Sequence, residues 1–323
     1  MQKKNVIVLI STAAVLIAAV VYLTKTGKLV PFRVLISQAE TTEITTEIVT
    51  EPPTTEPPTT KAPIEVNCKA AILYCVEDNF ILFEKAADKK IAPASITKLM
   101  TSLTALKYSD GEDVFKVGSE LKLLHPNSSL CMLSKGQKLK LADLISGMLM
   151  VSGNDAAYTT AVNTARKVFP DEELNRADAI LRFTELMNET ASDIGMRNSN
   201  FTTPDGWDDE EQYTTVNDLV KLALASLQEP LIKTAAAQTT KNAVFETGET
   251  ITWKNTNKLI DKKSEFYMPE ASGLKTGTTG LAGCCVLSVL EKNEKTYICA
   301  VTGCTEDADR YLATQEIFNE YVQ

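Results

Sequence analysis

The chain has a single histidine, His125, and its seven cysteines (Cys68, Cys75, Cys131, Cys284, Cys285, Cys299 and Cys304) include no Cys-x-x-Cys pair. A structural zinc site needs four such donors at short spacings, so none is expected, and nothing else in the chain calls for a cofactor. The odd cysteine count leaves pairing open, with buried free thiols acting as small hydrophobes an equal alternative. Basic residues are also in short supply. Lys and Arg number 33 against 42 Asp and Glu, a net charge of −9. The basic face that a nucleic-acid partner requires is therefore missing.

One long apolar run is present, Val6 to Leu23, interrupted only by Ser11 and Thr12 and preceded by Lys3 and Lys4. At about 1.5 Å per residue it has the length to cross a bilayer core. No small-x-small cleavage site follows closely, Ser37-Gln-Ala39 lying far downstream, so a retained anchor is favoured over a cleaved signal. Lys25, Lys28 and Arg33 beyond the span run against the positive-inside rule. The linker and the chemistry that follow still place the bulk of the chain outside, as a single-pass protein of the cell membrane. From Gln38 to Pro63 the residues are mostly Thr, Glu and Pro, with Glu-Pro-Pro-Thr-Thr repeated at Glu51 and Glu56. Such a segment buries no core and is expected to be an extended spacer of about 3.1 Å per residue. The expected organisation is an anchor over 1–23, an extracytoplasmic linker over 24–63 and one folded domain over 64–323.

Within that domain, Cys68–Cys75 and Phe80–Phe83 read as strands around the turn Glu77-Asp-Asn79. Pro93-Ala-Ser95 opens a helix with the apolar stripe Ile96, Leu99, Met100, Leu103 and Leu106. A second helix carries Leu141, Leu144, Ile145, Met148 and Leu149 and breaks at Ser152-Gly153. Gly283–Leu290 and Thr296–Val301, joined by Lys292-Asn-Glu-Lys295, read as a closing hairpin, and a last helix starts near Glu306. Strands at both ends with helices between them predict an α/β domain built on one antiparallel sheet closed by both termini.

Three short motifs stand in order: Ser95-Ile-Thr-Lys98, Ser152-Gly-Asn154 and Lys275-Thr-Gly277. Each alone is weak, since Ser119-Glu-Leu-Lys122 and Lys25-Thr-Gly27 repeat two of them in settings that build no site. Ser95 at a helix start has unpaired N–H groups beside it to hold an oxyanion, although serine is equally a favoured N-cap. Lys98, three residues on, shares its face. A free lysine, with a pKa near 10.4, is a poor base, but burial or a second ammonium such as Lys275 would lower that value. At a helix break, the Ser152 hydroxyl can relay a proton, and the Asn154 amide can orient Lys98 or hold a substrate carbonyl. Gly273-Leu-Lys-Thr-Gly-Thr-Thr279 reads as a strand whose glycine lets a substrate backbone approach. Lys275 and Thr276 would bind a carboxylate, and the Thr278 amide would complete the oxyanion hole.

These passages resemble the serine-type D-alanyl-D-alanine carboxypeptidases, the low-molecular-mass penicillin-binding proteins. Five stretches carry the likeness: Pro93-Ala-Ser-Ile-Thr-Lys-Leu-Met-Thr101, Gly147-Met-Leu-Met-Val-Ser-Gly-Asn-Asp-Ala156, Phe201-Thr-Thr-Pro-Asp-Gly206, Asn255-Thr-Asn257 and Gly273-Leu-Lys-Thr-Gly-Thr-Thr-Gly-Leu-Ala-Gly283. The resemblance implies a serine D,D-peptidase (β-lactamase-like) fold, a five-stranded antiparallel sheet with a helical lobe. It implies acylation of Ser95 by peptidoglycan stem peptides with release of D-Ala, β-lactams acting as covalent inhibitors. Catalysis would fall to Ser95, Lys98, Ser152 and Asn154, and substrate binding to Lys275, Thr276, Gly277 and Thr278. Two departures stand out. With the chain ending at Gln323, no room is expected for the β domain and C-terminal amphipathic helix that members commonly add, and the N-terminal span would do the anchoring. The family's Asn-Pro-His-Gly passage is Thr203-Pro-Asp-Gly206 here.

A class A-like β-lactamase is the nearest rival, through Asp171-Glu-Glu-Leu-Asn175, although an acidic helix start after Pro170 accounts for that segment. A β-lactam-sensing receptor domain is the non-enzymatic rival, and Lys3 and Lys4 leave almost no cytoplasmic part to receive its signal. Ser95→Ala is expected to abolish labelling by a fluorescent penicillin; undiminished labelling would remove Ser95 from the role of nucleophile.

Overall fold

The computed structural model describes residues 64–323, and the expected anchor and linker lie outside them. Strand β1 (Ala70–Cys75) has no polar gap, because both its faces are covered. Ala70 and Ile72 enter one hydrophobic cluster, while Ala71, Leu73 and Cys75 enter another. The same alternation runs along β9 (Lys295–Cys304), where Ile298 and Ala300 face the first cluster and Cys299 and Val301 the second. The period-2 rule thus sorts one continuous apolar run onto two cores.

The main sheet has five strands in the order β2-β1-β9-β8-β7, with every neighbouring pair antiparallel. Strand β2 is Phe80–Lys85, β7 is Ala271–Thr279 and β8 is Gly283–Lys292. Both ends of the described chain meet in it, as the sequence predicts. The turn between β8 and β9 holds Asn293 and Glu294 at φ 52° and 60°, the left-handed pair that a two-residue hairpin needs.

Helices fill the middle of the chain: α1 (Thr97–Tyr108), α2 (Leu141–Met150), α3 (Asn154–Val168), α4 (Arg176–Asp193), α5 (Val216–Gln228) and α6 (Pro230–Ala237). Their apolar stripes and one face of the sheet make the first core. Two small hairpins flank them, β3 (Val114–Lys116) with β4 (Lys138–Lys140) and β5 (Thr240–Val244) with β6 (Thr250–Lys254). The closing helix α7 (Asp307–Tyr321) covers the other sheet face and begins at a capping box between Glu306 and Asp309.

One expected boundary moves. Asp171 does not start a helix; α4 begins at Arg176, where the Asn175 side chain accepts from the N–H groups of Ala177 and Asp178. An N-cap that satisfies two orphan donors outweighs the acidic run before it. Ser119–Leu123 is a short 3-10 turn with Lys122 exposed, so the second Ser-x-x-Lys builds nothing. All seven cysteines are free and buried. No helix among the described residues is long and apolar enough to cross a membrane.

Phe318 of α7 is 1% exposed and meets the Tyr297 ring edge-on at 5.6 Å. Phe318→Ala is expected to cost about 3–5 kcal/mol by urea unfolding, the penalty of a large core void. A loss near zero would mean that α7 does not hold the sheet.

Candidate active site

Pro93 precedes a 3-10 turn, Ala94–Ile96, that runs straight into α1 and presents Ser95 at the helix start. Ala94 sits at φ 48°, a left-handed conformation unusual for a residue with a Cβ and typical of functional turns. Lys98 comes round on the same face, and its Nζ donates to Ser95 Oγ at 2.8 Å and to the Asp205 carbonyl at 2.7 Å. Lys98 is fully buried, and burial lowers its pKa to about 8 against the pull of nearby Asp205, Cys131 and Asp155.

Lys275 comes from the other direction, on β7. It too is buried, with Nζ donating to the Thr276 carbonyl at 2.8 Å. Burial first, then the charges of Lys98 and Arg310, hold its pKa well below the usual lysine range. The second cation expected from the sequence to lower Lys98 is not among the groups that shift it; the Lys98 charge lowers Lys275 instead. Burial is what makes the Lys98 ammonium readier to lose its proton, and the repulsion falls on Lys275.

Gly277, two residues on along the same strand face, touches the nucleophile turn. A Cβ added there would lie 2.8 Å from the Ser95 nitrogen, which explains why this position is glycine. Thr276 is buried with its hydroxyl 3.3 Å from that of Thr256, and Thr278 is exposed. Strand β7 ends the sheet, so a row of its backbone groups is left unpaired by other strands.

The Ser152-Gly-Asn154 turn joins α2 to α3. Ser152 stands at φ 61°, and its hydroxyl has no hydrogen-bond partner among the described residues. Asn154 starts α3; its N–H donates to the Ser129 carbonyl at 2.8 Å and its Nδ2 to Ser128 Oγ at 3.2 Å. Of the two roles open to Asn154, orienting Lys98 is therefore not realised: the Asp205 carbonyl does that instead. Asp155 completes this wall, its carboxylate accepting from the N–H groups of Cys131, Leu133 and Ala156. The Cys131 sulfur fills the space left by Gly147 and Gly153, where added Cβ atoms would fall 2.5 and 2.0 Å from it.

Several roles escaped the sequence reading, two of them within stretches it singled out. In Thr203-Pro-Asp-Gly206 the contact with Lys98 is made by a backbone carbonyl, so the histidine of the family's passage is not needed for it. Arg310, on α7, donates to the Gly277 carbonyl, Thr278 Oγ1 and the Cys285 carbonyl at 3.0, 3.0 and 3.2 Å and pairs with Asp307, pinning the end of β7. Thr256 links two motifs through its N–H to the Met150 carbonyl and its hydroxyl to Thr276. At the rim the His125 and Trp207 rings stack, with centroids 4.6 Å apart and planes 3° from parallel. No local signal marks these contacts, because all but the Arg310–Asp307 pair span at least twenty residues of chain. The segment behind the β-lactamase alternative stays outside: Glu172 is held bidentately by Arg182 at 2.7 and 3.0 Å.

The fold around this serine and lysine is shared with solved DD-peptidases. A Streptomyces DD-transpeptidase superposes with a TM-score of 0.72 at 26% identity, over 80% of this chain and 98% of its own. The sequence model of the D-alanyl-D-alanine carboxypeptidase family matches residues 56–306, and the chain belongs to that family. It is 28% identical over 248 residues to the D-alanyl-D-alanine carboxypeptidase DacF of Bacillus subtilis, and 31% identical over 248 residues to DacA of Haemophilus influenzae. The matches take in 76% and 75% of this chain but only 59% and 58% of those relatives.

Gly206 sits at φ +85°, and a Cβ there would fall 1.9 Å from the Ala94 carbonyl oxygen. Gly206→Ala must push the nucleophile turn aside, and a displacement of about 1 Å is expected to slow penicillin acylation about 100-fold. An unchanged acylation rate would show that the turn is not positioned by this contact.

Proposed function

We propose that the protein is a serine D-Ala-D-Ala carboxypeptidase that trims peptidoglycan stem peptides through an acyl-enzyme on Ser95 and binds penicillins there. The observation that carries this reading is the 2.8 Å contact between Lys98 Nζ and Ser95 Oγ inside a site dry enough to bring the lysine to about pKa 8. A fraction of Lys98 is then neutral at physiological pH and can accept the serine proton.

In the first step Lys98 Nζ takes the proton from Ser95 Oγ as the oxygen attacks the carbonyl carbon of the penultimate D-Ala. The oxyanion is received by the backbone N–H groups of Ser95 and Thr278. The C–N bond then breaks, and the departing amine of the terminal D-Ala gains a proton from Lys98 through the Ser152 hydroxyl. Asn154 holds the substrate's amide carbonyl. Lys275, Thr276 and Thr278 receive the terminal carboxylate, while Gly277 gives it room. Water next attacks the ester, losing a proton to Lys98, and Ser95 is restored as the shortened peptide leaves. A β-lactam follows the first half and stays, because its amine remains tethered to the acyl group.

The linker over 24–63 and the anchor over 1–23 complete the reading: a single-pass protein of the cell membrane whose catalytic domain, residues 64–323, works outside on the wall polymer. Support for this part is the sequence pattern alone.

The test is D-Ala release from an acyl-L-Lys-D-Ala-D-Ala peptide by the full chain, beside its Ser95→Ala variant. Release by the wild type alone is expected. No release from either folded protein would transfer the assignment to a sensor, a cross-link endopeptidase or a β-lactamase.

A further inference from the structure

Asp205 is a buried carboxylate, 1% exposed, without an ion-pair partner among the described residues. Its carbonyl oxygen takes the Lys98 ammonium at 2.7 Å. One carboxylate oxygen, Oδ1, accepts from the Trp207 N–H at 3.1 Å, and the other, Oδ2, is buried with no hydrogen-bond partner among the described residues. An anion so placed is costly unless a cation shares the site. Its backbone cannot retreat, since Gly206 is pressed against the Ala94 carbonyl and the Pro204 carbonyl is held by Thr101 Oγ1 at 2.6 Å.

We infer that Asp205 is a positioning residue for Lys98: its carbonyl fixes the ammonium, and its carboxylate sets how readily that ammonium gives up its proton. This rests on the acyl-enzyme reading above and goes beyond it.

The groups facing Lys98 are few. Lys275 approaches from β7, with Arg310 of α7 behind it; Asp155 stands at the start of α3, and the Cys131 thiol lies in the loop before β4. Tyr158 of α3 faces Asp205, and its phenol is pushed up by burial and then by that carboxylate. Among the anions, Asp155 is already committed to three N–H groups, and it acts on Lys98 less than Asp205 does. Asp205 is therefore the main counter-charge to the buried Lys98 ammonium. It keeps Lys98 from losing its proton too early, while burial keeps it from holding the proton too long.

The experiment is the pH dependence of benzylpenicillin acylation by the full chain, wild type beside Asp205→Asn. Asparagine preserves an acceptor for the Trp207 N–H and removes the charge. The acid limb of the profile is expected to move about one pH unit or more toward acid, with a melting temperature close to wild type. At pH about 6 the variant should then acylate about ten times faster than wild type. If the asparagine variant does not fold, Asp205→Ser is read in the same way. A limb that stays in place, or a rate lowered equally at every pH, overturns the inference. A wild-type chain that is not acylated at any pH overturns the acyl-enzyme reading itself, and is told apart by that.

Discussion

Keeping Lys98 dry is the constraint from which the rest of the cleft follows. An ammonium moved out of water must be compensated or must lose its proton. Here it is met by two acceptors, Ser95 Oγ and the Asp205 carbonyl, and by the nearby carboxylates of Asp205 and Asp155, leaving its pKa at about 8. That value lies below the 10.5 of the free side chain, so protonated Lys98 takes stability from the fold in full below about pH 8. The loss fades as pH climbs toward 10.5. Lys275 adds a second buried ammonium at the same place. The site thus works against folding, and the two packed faces of the sheet must more than offset it.

That offset is delivered by close contact rather than by flexible side chains. Gly206 meets Ala94, Gly277 meets Ser95, and Gly147 with Gly153 makes room for Cys131. Residues at positive φ stand at both walls, Ala94 beside the nucleophile and Ser152 at the opposite turn. Arg310 fastens β7 from behind, in a helix that belongs to the other core. The geometry at Ser95 therefore depends on both faces of the sheet.

What the sequence disclosed was whatever is local. A serine and a lysine three apart share a helix face by the geometry of the helix alone, and the two-residue turn before Lys295 announces its own hairpin. The break at Ser152-Gly153 was legible for the same reason. Asp205 was not, because a carbonyl carries no side-chain signature and its partner lies 107 residues away. Arg310 and Thr256 were hidden likewise, since their roles exist only once β7 is flanked by α7 and by the end of α2. The misplaced start of α4 shows local signals in conflict: an acidic run suggested Asp171, and the geometry of one asparagine cap decided for Arg176. Composition suggested an anchor and a stalk, and those lie outside the described residues.

The two tryptophans of the chain both belong to this neighbourhood. Trp253 is buried under α2, donating its indole N–H to the Cys131 carbonyl at 3.3 Å, and Trp207 lies half-exposed against His125, two residues past the carbonyl that holds Lys98. Indole emission depends on polarity and on stacked neighbours within a few ångströms. The indole part of this protein's intrinsic fluorescence is consequently a property of this neighbourhood, Trp253 reporting the wall beside Cys131 and Trp207 the rim, so that occupancy of the site is written into the light the molecule already gives off.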